Sequence, residues 1–180
     1  MEIAVPMMMA NAVPAAAART RNVAIVLYDG VELLDFAGPG EVFAAAGHAG
    51  ASRGLPAFRV YTVSRSKAPI TSQNFVRVLP EFSIDEVPRP DLIVIPGGAA
   101  ESLMDDPKFL AWTTAAAGNA EIAMTVCTGA MALGRAGLLD GHAVTISRRI
   151  TRSSTPASTR RAASCNWPAC TPLQAVSMMR

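Results

Sequence analysis

Four short apolar runs constrain this chain more than any other feature: RNVAIVLY (21–28), FRVYTVS (58–64), DLIVIPGG (91–98) and EIAMTV (121–126). Each is too short for a helix and rich in β-branched residues. Continuous rather than alternating apolarity marks a strand buried on both faces, as in the middle of a parallel sheet. Helical patterns separate them. DGVELLDFAGPGEVFAAAG turns at Asp29-Gly30 and then reads as a helix expected to break at Gly38-Pro39-Gly40. ESLMDDPKFLAWTTAAAG reads as two helical pieces, the second opened by Pro107 at its first turn. A small-residue helix follows over Thr128–Gly137, and the weak alternation of Ile70–Leu79 suits a small antiparallel excursion. Strands alternating with helices predict an α/β fold built on a mainly parallel sheet.

In such sheets ligands bind beyond the carboxyl ends of the strands. Three features collect there: the segment around Asp35 after the first run, Gly97-Gly98 after the third, and Cys127 after the fourth. A thiol reacts as its thiolate, and the unpaired N–H groups of a helix N-terminus can lower its pKa below the usual value of about 8.5. Cys127 is expected to feel that effect. The same N–H groups can hold a developing anion. The alternative is a small buried hydrophobe between strand and helix. Asp35, flanked by Leu33-Leu34 and Phe36-Ala37, reads either as a turn or helix-cap residue, or as a buried carboxyl with a raised pKa that shares a proton with a thiol. Gly97-Gly98 either lets the backbone approach a ligand or forms a tight turn. Asp29 and Glu32 read as turn or surface residues.

The 180 residues are 51% hydrophobic and 17% charged, a globular composition sufficient for one domain with a core. Up to Ser147 there are 14 acidic and 10 basic residues; from Arg148 onward there are 6 arginines and no acid. The net charge of +2 therefore comes from the tail, and the body gives no case for nucleic-acid binding. Residues 1–20, Ala/Met-rich and beginning with Met1-Glu2, are expected to be a disordered extension rather than a secretory leader. No apolar run reaches the length of about 18 residues that spans a bilayer. Cys127, Cys165 and Cys170 lack metal-ligand spacing, and with only His48 and His142 beside them no metal and no cofactor is expected. A reducing, cytoplasmic setting follows.

VLYDGVELLDFAGPGEVF, DLIVIPGG and VCTGAMALGRAGLLDG, in that order, resemble the ThiJ/PfpI superfamily, part of the class I glutamine-amidotransferase-like fold. Within it the likeness is to isonitrile hydratases and to sensor domains of arabinose-type regulators. The resemblance implies a three-layer, flavodoxin-like sandwich over residues 21–145. It implies Cys127 as the nucleophile of a strand-to-helix elbow, Asp35 as its acidic partner, and Thr128, Gly98 and Gly97 around the bound ligand. It implies a lyase that hydrates a small-molecule isonitrile, and a homodimer. The alternatives are a ligand- or redox-sensing module, another enzyme on the same scaffold, or an inactive truncated product.

The likeness fails after GLLDG. The family continues with a strand reading Ala-Thr-Thr-His-Trp; here Thr145 fits the first threonine, Ile146 replaces the second, Ser147 stands where histidine is expected and Arg148 where the aromatic would be. His142 lies too early to substitute. The C-terminal third of the family fold is therefore expected to be missing. Residues 146–180 are expected to be a disordered basic tail arising from a change of reading frame near codon 146.

Overall fold

The computed structural model describes residues 19–51, 55–140 and 176–179. In chain order the elements are β1 (Arg21–Val26), α1 (Leu33–Ala51), β2 (Phe58–Ser64), β3 (Ile70–Ser72), β4 (Val76–Val78), β5 (Phe82–Ser83), β6 (Leu92–Ile95), α2 (Glu101–Met104), α3 (Pro107–Asn119), β7 (Ile122–Val126), α4 (Ala130–Arg135) and β8 (Val176–Met179). A single 3₁₀ turn, Cys127–Gly129, joins β7 to α4.

The main sheet has the order β5-β2-β1-β6-β7-β8, parallel except at β8. The chain leaves β1 toward β2 through α1, then returns to the other side of β1 and runs from β6 to β7 through α3. Right-handed crossovers in opposite directions put their helices on opposite faces, which gives the three-layer α/β sandwich. They also create a topological switch beside β1, where a ligand crevice opens at the carboxyl ends. The apolar runs form the sheet centre as expected. Val23 to Tyr28 and Leu92 to Ile95 are all buried.

α1 corrects one expectation: it runs unbroken through Gly38-Pro39-Gly40. Proline removes one intrahelical hydrogen bond, but the turns on either side are anchored. Phe36 is buried in the core, and Phe43 meets Phe58 of β2 edge-on at 5.1 Å. α3 opens as read, with Pro107 at its first position and Asp106 accepting from the Lys108 and Phe109 N–H groups.

Ile70–Val78 forms the expected antiparallel excursion, β3 paired with β4 around Gln73-Asn74, both in the left-handed region. This hairpin buttresses the turn after β1. The Thr71 N–H donates to Asp29 Oδ1 at 2.8 Å, the Gly30 N–H to the Thr71 carbonyl at 2.8 Å, and the Ser72 hydroxyl to the Val31 carbonyl at 2.7 Å.

The expected disorder over 146–180 does not extend to Val176–Met179, which form β8, antiparallel to β7 with Val176 opposite Val126. Without it β7 would present a row of unpaired backbone groups, an edge that a short apolar segment can close. The rest of that stretch, residues 146–175, and residues 1–18 lie outside the described residues.

Candidate active site

The three features expected to converge do converge. Cys127 follows the last residue of β7 with φ at +52°. A non-glycine residue costs about 1–3 kcal/mol there and stays only where its surroundings dictate it. Two glycines do so. A Cβ on Gly129 would collide with the Ile95 carbonyl, and one on Gly97 would lie 2.8 Å from Cys127 Cβ, Thr128 N and Thr128 Oγ1. The turn after β6 therefore packs backbone-to-backbone against the turn after β7, and the thiol is left exposed at their junction.

Asp35 sits in the first turn of α1, 3% exposed. Its Oδ2 accepts from the Gly97 N–H at 3.1 Å. The Cys127 thiol lies near enough to act on the carboxyl electrostatically. Burial pushes the Asp35 carboxyl above the usual range, with the nearby Glu32 charge adding to the rise, while the Gly97 N–H and the thiol oppose it. Asp35 is thus a buried carboxyl with a raised pKa.

The expectation for the Cys127 pKa is overturned. Burial pushes the thiol up, and the charges of Asp35 and Glu32 raise it further; the adjoining Thr128 N–H and hydroxyl pull the other way without prevailing. The physical reason is local. The helix proper begins only at Ala130 and is six residues long, so few aligned peptides face the sulfur, and two acids do.

Thr128 is buried beside the thiol. Its Oγ1 accepts from the Gly98 N–H at 3.0 Å and lies 3.2 Å from the Gly98 carbonyl. Gly98 itself has φ at +115°, packed so closely on Gly30 and Glu32 that no side chain fits. Both amides singled out in the sequence are therefore engaged within the protein, Gly97 with Asp35 and Gly98 with Thr128. They shape the site.

Tyr28 escaped the sequence reading. It is buried, and its hydroxyl donates to the Pro96 carbonyl at 2.6 Å with the Gly97 carbonyl at 2.9 Å. The tyrosine thereby holds the Pro-Gly-Gly turn in place. The signal was a polar-tipped aromatic at the end of a buried strand, which must find a partner for its hydroxyl. Glu32 also proves to be more than a turn residue, since its charge reaches both Asp35 and Cys127.

His48 lies near the far end of α1, its Nδ1 2.8 Å from the Ala44 carbonyl, and His142 lies outside the described residues. Among the described residues no cluster of three His, Cys, Asp or Glu forms a metal site, and no helix is long and apolar enough to cross a membrane. A separate apolar groove of about 340 Å³, lined by Phe43, Phe58, Leu92, Val94, Ile122 and Met124, opens toward Arg21 and Glu121 at the opposite, amino end of the strands.

Comparison with known proteins bears on the family and the fold. A model of the DJ-1/PfpI family matches residues 21–160, past Thr145 where the motif likeness ends. Isonitrile hydratase of Pseudomonas putida is 33% identical over 125 residues, 69% of this chain and 51% of that protein. The chain thus spans about half the length of that relative. An uncharacterised protein of Streptomyces lividans is 34% identical over 139 residues, 71% of this chain and 94% of that protein. The crystal structure of a ThiJ/PfpI family protein from Pseudomonas syringae superposes with a TM-score of 0.60 and 26% identity, covering 76% of this chain and 55% of that one. Sequence, fold and comparison together make this chain a member of the DJ-1/PfpI family.

Proposed function

We propose that this chain carries the catalytic elbow of an isonitrile-hydratase-type lyase, with Cys127 as nucleophile and Asp35 as proton carrier. The carrying observation is a cysteine at a strand-to-helix elbow and a buried carboxyl, both packed on Gly97.

The chemistry follows from that pair. Asp35 takes the thiol proton as the sulfur attacks the terminal carbon of R–N≡C, then delivers it to that carbon, giving the thioimidate R–N=CH–S–Cys127. Asp35 next deprotonates water, which adds to the same carbon, and passes the proton to nitrogen. Collapse of the tetrahedral adduct breaks the C–S bond, forms the carbonyl and returns the hydroxyl proton to sulfur, releasing R–NH–CHO. The net change is one water added. Covalent capture splits one hard hydration into two easier steps. The N–H of Thr128, the residue after the cysteine, stabilises the thiolate at both ends of the cycle. A base beside the thiol explains how a thiol with a raised pKa still reacts: the proton leaves in the step rather than before it.

Of the sensing alternatives, redox sensing needs a standing thiolate at neutral pH, and the upward push on Cys127 supplies little of it; ligand sensing needs no thiolate, and the turnover assay decides it. The test is formamide formation from a simple alkyl isonitrile. The full chain is expected to form it and Cys127→Ala to form none; full activity in Cys127→Ala would sink the reading. We also propose a homodimer acting in the cytoplasm, which sedimentation and fractionation measure.

A further inference from the structure

The Pro96-Gly97-Gly98 turn holds a second acid near the thiol. The Glu32 N–H donates to the Gly97 carbonyl at 2.9 Å, its neighbour Val31 bridges to Gly98, and the Glu32 carbonyl accepts from the Asp35 N–H at 3.2 Å. Gly98 packs against Glu32 N so tightly that no Cβ would fit between them. Glu32 is therefore fixed by its backbone on the same turn that packs against Cys127, and the residue is half-buried there.

The charges around the site share one sign. Those bearing most on Cys127 are Asp35 and Glu32; on Asp35, Glu32; on Tyr28, Asp35 and Glu101 together with the thiolate. Of the cations on neighbouring segments, Arg65 pairs with Asp106, Lys67 with Glu86 and Lys108 with Asp85; Arg77 on β4 and Arg135 at the far end of α4 are not among the charges that bear most on these groups. A one-signed approach to a partly desolvated cleft repels ligands of the same charge and concentrates the opposite one.

We infer that Glu32 is a charge filter for the Cys127 site, admitting uncharged and cationic electrophiles and turning away anionic ones. For the reaction proposed above, this selects isonitriles without a carboxylate or phosphate near the reacting carbon. The inference rests on Cys127 as the reacting group, not on the identity of the reaction.

Two reagents of nearly equal size separate the field from the thiol's basicity. Iodoacetamide is neutral and iodoacetate anionic. Both alkylate sulfur with loss of iodide and release of the thiol proton, so a change in thiolate fraction cancels in the ratio of their rates. Alkylation of Cys127 is followed by peptide mass spectrometry, apart from Cys165 and Cys170, and normalised to a neutral free thiol. Glu32→Gln is expected to raise the iodoacetate-to-iodoacetamide ratio about three- to tenfold at low salt. The gap should close near 1 M salt, where the Debye length is about 3 Å. An unchanged ratio overturns the inference. If Glu32→Gln does not fold, the unmodified protein decides alone: its ratio must climb with salt, and a flat ratio overturns the inference. Failure to hydrate isonitriles would remove the hydratase reading and leave this ratio standing; a flat ratio would do the reverse.

Discussion

The two edges of one parallel sheet treat the same residue types in opposite ways. At the amino edge Asp91 accepts from both Arg19 guanidinium nitrogens at 2.9 Å and from the Asn22 N–H at 2.8 Å. Glu121 beside it accepts from Arg19 at 2.6 Å and Arg21 at 2.8 Å. The Arg19 hydrogen bonds hold Asp91, and the Arg21 bond holds Glu121, below the usual carboxylate range. At the carboxyl edge Asp35 is buried near a thiol, with an amide for a partner, and is pushed up. The amino edge neutralises its acids with arginines in water, where such pairs add little. The carboxyl edge keeps an acid and a thiol in a partly desolvated cleft with no arginine between them. That is the arrangement expected of a site that moves protons.

The sign of the linkage differs accordingly. Asp91 and Glu121, with lowered folded pKa values, contribute stability that is present above their unfolded values and lost as pH falls through the folded ones. Asp35, with a raised folded pKa, costs stability as pH rises past its unfolded value and returns it on acidification.

The largest expected effect breaks the carboxyl edge directly. Asp35→Asn should lower formamide turnover by about 10²–10⁴-fold, the usual worth of a positioned acid–base group; a loss under about threefold would put Asp35 on the same footing as Asp91. Gly97→Ala comes next. Its Cβ would meet Cys127 and Thr128 at 2.8 Å, and a shift of about 1 Å in the elbow costs about 100-fold in rate. Activity and Cys127 alkylation measured together should both fall. A stability effect of opposite sign follows: Asp35→Asn is expected to raise Tm at pH 7 by about 2–4 °C, since it removes a buried charge while keeping an acceptor for Gly97. Thermal melts from pH 4 to 8 should show that gain fade toward acid. The smallest effect is at the amino edge, where Glu121→Gln should move Tm by no more than about 2 °C, less in high salt. Cys127 alkylation should not change.

Much of this was legible because it depends on near neighbours. Apolar run length located β1, β2, β6 and β7, and the parallel α/β rule placed Asp35, Gly97 and Cys127 at one end. What escaped depends on residues distant in sequence. Tyr28 matters through carbonyls at Pro96 and Gly97, the Gly98 amide is engaged by Thr128, and the pKa of Cys127 is set by burial and by acids 92 and 95 positions away. The continuity of α1 through Pro39 was hidden for the same reason, because Phe58 on another strand anchors it. β8 was unreadable because the segment before it shows no apolar period.

The central claim is that Asp35 and Cys127 titrate as one coupled pair. The most direct test is the thiol titration of Cys127, read as alkylation rate against pH, in the unmodified protein and in Asp35→Asn. The account requires a midpoint above the usual thiol value of about 8.5 in the first and a lower midpoint in the second, since a like charge has been removed. Equal midpoints, or a higher one in Asp35→Asn, would contradict it.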